Sequence, residues 1–155
     1  MESILQICTA AIGTLGFAVL YNVRGKKLLL LTIGGALGWA VYLLCAAADL
    51  TLFLRTLLAT MSVAAAAEIL ARTLHAPVLV SLVPMIIPLV PGKDLYYLMS
   101  ALVRGEPAQF AHSAQQALTA AGAIALGVIS VAAIVHLIMS VREHVLSHMN
   151  SKKSS

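Results

Sequence analysis

Five apolar runs follow one another along this chain, with only short connections between them: Ile4 to Val23, Leu28 to Ala48, Leu52 to Leu74, Val78 to Val103 and Gln116 to Met139. A helix needs about 20 apolar residues to cross a hydrocarbon core of ~30 Å, and each run is long enough. Composition agrees. The chain is 61% hydrophobic and 10% charged, whereas a soluble domain carries about 25% charged residues. Ala and Leu dominate, and there is no sign of the ~10-residue alternating segments of a transmembrane barrel. The fold class is all-α: a polytopic membrane protein of five transmembrane helices, the fourth broken at a Pro-Gly. Residues 1–141 read as one transmembrane domain and residues 142–155 as a cytoplasmic tail.

The break lies in Pro84-Met-Ile-Ile-Pro88-Leu-Val-Pro91-Gly92-Lys93-Asp94. Proline removes a backbone donor and clashes with the preceding turn, so a helix kinks or ends there. In lipid, freed backbone groups persist only where protein or a water-filled cavity satisfies them. Val78 to Val90 covers about 20 Å as helix, too little to cross. On one reading Pro91-Gly92 lies about two-thirds of the way through, and Leu95 to Val103 completes the crossing before the exit turn Arg104-Gly105-Glu106-Pro107. On another, Pro91-Gly92 is at the surface and Leu95 to Val103 lies along the interface. A re-entrant hairpin would put the basic C-terminus outside, against the charge rule.

The net charge of +4 does not point to nucleic acid, because the cations are few and sit at the ends of apolar runs. Arg24, Lys26 and Lys27 share one side with Arg72, His75, Arg142, Lys152 and Lys153. Arg55 and Arg104 share the other with Glu2, Asp49 and Glu106. Lys and Arg collect on the cytoplasmic side, which places the N-terminus outside and the C-terminus in the cytoplasm. Met1-Glu2-Ser3 lacks the basic region of a signal peptide, so the first run reads as a retained span. Cys8 and Cys45 read as buried thiols rather than a disulfide.

Charged groups inside spans are rare and usually functional. Lys93 and Asp94 follow a helix start, where free backbone N–H groups favour anions. Lys93 would reinforce a carboxylate there; Asp94 would cap the new helix or hold the amino group of a zwitterion. The candidate substrate site is therefore Pro88, Pro91, Gly92, Lys93, Asp94 and Tyr96, against the alternative of a solvated surface turn with Tyr96 and Tyr97 as interfacial anchors. Thr60, Ala64, Glu68 and Arg72 share a helical face by i+4 spacing. Glu68 is either the partner of Arg72 or a proton-coupling carboxylate. His136 reads as a packed histidine bonded to a neighbouring helix, and His144 with His148 lack a third metal ligand. No P-loop, HExxH or Ser/His/Asp pattern is present, so neither an enzyme nor a cofactor or metal is expected.

Small residues recur at Gly34, Gly35 and Gly38, at Ser62 and Ala64 to Ala67, and from Ala120 to Gly127. They let helices approach closely, either within the chain or against another subunit. Five spans in 155 residues leave little protein to enclose a path alone, so assembly in the lipid is expected, with a second subunit or with copies of the chain itself.

Phe17 to Val23, the turn Arg24-Gly25-Lys26 and Gly34-Gly35-Ala-Leu-Gly38-Trp39 resemble the opening of the bacterial threonine/serine exporters. His75-Ala-Pro77-Val, Val83-Pro84, Ile87-Pro88-Leu-Val-Pro91-Gly92 and Tyr96 resemble that family's most recognisable segment. The chain looks like the short subunit, equivalent to the C-terminal half of the fused exporters. The resemblance implies an inner-membrane secondary exporter coupled to the proton motive force. It also implies a larger partner subunit carrying the N-terminal half, and threonine and serine or, in related split pairs, succinate as cargo.

Overall fold

The computed structural model describes residues 1–73 and 76–153, with side chains described through residue 141. Expectations placed on Leu74 and His75, and on the side chains of Arg142, His144, His148, Lys152 and Lys153, lie outside the described residues. The elements are α1 (Glu2–Leu20), α2 (Lys26–Ala47), α3 (Leu52–Thr73), α4 (Val78–Ile86), a 3-10 turn (Ile87–Leu89), α5 (Gly92–Arg104) and α6 (Pro107–Lys153). No strand occurs among the described residues. Helices α1, α2, α3 and the stretch Pro107–Val141 of α6 are each long and apolar enough to cross a membrane. Val78–Leu89 and Gly92–Arg104, whose axes differ by 57°, are long and apolar enough only as a bent pair, the geometry of a broken span or of a re-entrant loop.

Two polar residues end helices by adopting left-handed backbone where glycine is usual. Asn22 has φ 57° and Asp49 φ 54°. In each case the next residue bonds back across the turn: Val23 N–H to Ala18 O at 3.0 Å, and Leu50 N–H to Cys45 O at 3.2 Å. These bonds satisfy carbonyls that the helix end leaves open. Gly105, at φ 71°, ends α5 in the same way, with Glu106 N–H on Ala101 O at 3.0 Å. Pro107 then starts α6, a position where its missing N–H costs nothing. Arg104 to Pro107 is thus the turn the sequence predicts.

Helix α3 is central, packed on α2, α4 and α6. Close approach depends on glycines. A Cβ at Gly34 would meet the tip of Met85, at Gly35 the Thr14 side chain, and at Gly38 Val63 Cγ2. A Cβ at Gly127 would lie 2.9 Å from Thr60 Cβ and 3.2 Å from Leu57 O. The small-residue faces of α2 and α6 therefore serve packing within the chain at these four positions, while Ala121, Gly122 and Ala125 remain exposed.

Three expectations are corrected. Helix α6 begins at Pro107 rather than near Gln116, because His112, Gln115 and Gln116 end an apolar run without ending a helix, and its backbone stays helical to Lys153. Cys8 is exposed and Cys45 half-buried, both free. His136 is exposed rather than packed. The exposed side chains of α1 and α6 are predominantly apolar, as lipid-facing surfaces are.

The glycine contacts generate an ordered prediction. Met85 meets Gly34 with a flexible end that can swing away. Thr14 meets Gly35 with a stiff β-branched body, held by its hydroxyl on Ala10 O at 2.9 Å. G35A should lower unfolding stability in detergent by about 1–3 kcal/mol, the range for overpacking, and G34A by less. Thermal melting of the two variants checks the order.

Candidate functional site

Helix α4 continues through Pro84 and is lost at the next two prolines. Val90, which precedes Pro91, is extended at φ −62°, ψ 132°, because proline disfavours helical backbone in the residue before it. Pro91 takes φ −75°, ψ 56°, and Gly92 N–H bonds Val90 O at 2.7 Å. This is an inverse γ-turn centred on Pro91. Leu95 N–H reaches Pro91 O at 3.0 Å. Between them, the N–H groups of Lys93 and Asp94 have no backbone acceptor, and no side chain caps the helix. The capping role considered for Asp94 is not realised. The start of α5 thus presents open donors and the positive end of its dipole.

These residues wall a cavity of about 170 Å³, smaller than the ~300–1,000 Å³ of sites for drug-sized ligands. Pro88, Pro91, Gly92, Lys93 and Asp94 form one wall. Trp39 and Tyr42 of α2, Leu52 and Thr56 of α3 and Ala120 of α6 complete it. Leu52 is the first residue of α3, so the helix break stands near the α2–α3 end of the bundle. Helix α5 then runs beside the early turns of α6, with Leu95 and Leu98 near Ala117 and Ala121. A second cavity, of about 230 Å³, is lined by Gln6, Thr9 and Ala10 of α1. Trp39 and Pro88 line both cavities.

Five of the residues singled out in the sequence are brought together here, and two are not. Tyr96 is 69% exposed and does not line the cavity; its ring lies edge-on to Tyr97, 5.6 Å between centroids. Tyr97 in turn carries Lys93 Nζ 5.9 Å from its ring centroid, a cation–π contact. Lys93 is exposed and Asp94 half-buried. Glu68 lies three turns further along α3, about 18 Å from Thr56. Its carboxylate accepts from Arg72 Nη2 at 3.1 Å, with the Glu68 side chain 16% and the Arg72 side chain 50% exposed. Arg72 Nη2 also lies 3.5 Å from Met139 Sδ on α6.

The structure adds residues that the sequence did not flag. The Trp39 and Tyr42 rings stack at 4.9 Å, 20° apart, and the Arg55 guanidinium lies 5.1 Å from the Tyr42 centroid. Among the described residues, the buried side-chain polar atoms without a partner are Trp39 Nε1, Arg55 Nε, Thr56 Oγ1 and Thr60 Oγ1. Such an atom costs about 1–3 kcal/mol unsatisfied. Two signals were available. A tryptophan well inside an apolar run is out of place, since belts sit at span ends. One more i−4 step along the Thr60–Glu68 face reaches Thr56.

A bundle of membrane-length helices, one pair bent beside a small charged cavity, is the architecture of a polytopic membrane protein. Residues 6–134 match the family model described as Threonine/Serine exporter, ThrE, and the chain belongs to the threonine/serine exporter family. Searches of curated proteins and of solved structures gave no match. The family is one of transporters rather than enzymes.

The Glu68–Arg72 geometry predicts a modest structural role. An i,i+4 pair whose arginine is half-exposed contributes on the order of 1 kcal/mol, so E68Q should melt within a few degrees of wild type in detergent.

Proposed function

We propose that this chain is one subunit of a bacterial inner-membrane secondary exporter for small carboxylate-bearing metabolites, working with a larger partner subunit. Threonine and serine are the first candidates as cargo, and a dicarboxylate such as succinate the next. The observation that carries the reading is the cavity at the helix break. There a cation (Lys93), an anion (Asp94) and the open N-terminus of α5 meet in a space suited to a small metabolite. Lys93 and the α5 N–H groups suit a carboxylate, and Asp94 suits an ammonium group. Gly92 keeps the backbone bare of a side chain at that point. Pro88 and Pro91 fix its shape. Tyr96, exposed one turn along α5, enters the site only if the helix turns or a partner subunit covers it.

Export is read as proton-coupled, with Glu68 as the candidate carboxylate because it is an acid within a membrane-length helix. The N-terminus is assigned to the outside and the C-terminal tail, residues 142–155, to the cytoplasm, on the charge bias. The exposed faces around Ala121, Gly122 and Ala125 are suited to helix contacts with the larger subunit or with a second copy.

The exposure of Lys93 supports a second reading, a scaffold that stabilises a transporting partner without binding cargo. Export of threonine, serine and succinate from cells carrying both subunits separates the two. The exporter reading expects K93A and D94N to lower export at least tenfold at normal membrane abundance, and E68Q to remove its dependence on the proton gradient. Intact export in K93A and D94N would remove the cavity from the path. Transport by the partner reconstituted alone would establish the scaffold. A C-terminal alkaline phosphatase fusion should be inactive and a C-terminal green fluorescent protein fusion bright.

A further inference from the structure

The buried polar atoms that lack partners are not scattered. Trp39 lies on α2, and Arg55, Thr56 and Thr60 lie on α3. Trp39 and Thr56 line the cavity opposite the helix break, and Arg55 is tied to that wall through the Tyr42 ring. Thr56 is 1% and Thr60 0% exposed. Elsewhere in the chain a helical threonine satisfies its hydroxyl on a carbonyl four residues back, as Thr14, Thr32 and Thr73 do. Thr56 and Thr60 do not. The indole N–H and the guanidinium Nε–H can only donate, and a threonine hydroxyl can donate as well as accept. Among the described residues Arg55 has no carboxylate partner. Arg55 lies in the first turn of α3, where a long cationic side chain can reach the interface, so the unpartnered donors that count toward the cavity are those of Trp39 and Thr56. The α2–α3 wall is therefore rich in donors and short of acceptors.

We propose that Trp39 and Thr56 form a carboxylate-binding wall of this cavity, opposite Lys93, with Arg55 positioning it from behind through the Tyr42 ring, so that the carboxylate of the transported molecule is held from α2 and α3 as well as from α5. The inference rests on the reading of the cavity as the transport site and adds residues to it. The Trp39–Tyr42–Arg55 stack holds the guanidinium in place over an aromatic face. Thr56 brings its hydroxyl into the wall beside Trp39. A carboxylate supplies several acceptor positions, enough for the indole and the hydroxyl together with Lys93. The Lys93–carboxylate pair is matched if the ammonium group of an amino acid turns to Asp94.

Trp39 is the chain's single tryptophan, so the full-length protein carries its own reporter in the wall. Purified protein in nanodiscs is titrated with L-threonine, succinate and L-threoninol, which replaces the carboxylate by a hydroxymethyl group. Threonine and succinate should shift Trp39 emission saturably, and threoninol should not. T56V should raise the half-saturating threonine concentration about tenfold, the value of one lost hydrogen bond, while T56S stays close to wild type. Equal responses to threonine and threoninol would overturn the wall. So would unchanged half-saturation in T56V, or no shift with any carboxylate. Export by the wild-type pair is measured in parallel. Export with a failed titration sinks the wall and leaves the exporter reading standing; a successful titration without export sinks the exporter reading, and the wall's part in transport with it.

Discussion

Everything in this chain depends on finding hydrogen-bond partners for backbone that water cannot reach. Helices meet the demand internally, which is why the described residues are almost all helical. The demand becomes acute where prolines remove donors and end α4. The break is closed locally by the Gly92-to-Val90 and Leu95-to-Pro91 bonds, and the residues whose N–H groups remain open, Lys93 and Asp94, line a cavity. The same economy shows at Asn22, Asp49 and Gly105, where left-handed residues fold the last carbonyls of a helix back onto the chain.

The membrane-length helices, the helix broken at a Pro-Gly and the turn at Arg104 to Pro107 were legible in the sequence, because apolar length, proline and glycine act locally. The clustering of Pro88, Pro91, Gly92, Lys93 and Asp94 was legible for the same reason, since contiguous residues stay together in most folds. The opposite wall was not. Trp39 and Thr56 are distant from the break in sequence, and their meeting depends on how α2 and α3 pack on it. Tyr96 was not legible as standing outside the cavity, because it is one turn beyond Lys93 on the same side of α5 and only its packing against Tyr97 shows where its ring lies. The early start of α6 was missed because apolar run length measures contact with lipid, whereas a helix continues as far as its backbone bonds do.

Helix α3 carries two kinds of polar group at its two ends. Near its start, Thr56 and Thr60 are buried and unsatisfied. Near its finish, Glu68 and Arg72 satisfy one another, and Arg72 also touches α6. Between them the i+4 face is filled by Ala64, small and buried. The half-exposed ion pair contributes little to stability, whereas the buried hydroxyls detract from it. Cost without structural return is the usual mark of a group retained for what it binds.

Trp39 and Pro88 each border two cavities, one toward α3 and α6 and one toward α1. They act as a party wall between two rooms. Whatever fills one room and pushes on that wall alters the dimensions of the other, and thermodynamic linkage makes the influence run equally in both directions. Two small molecules, or one molecule and a side chain of α1, would then sense each other across a single indole ring without ever touching.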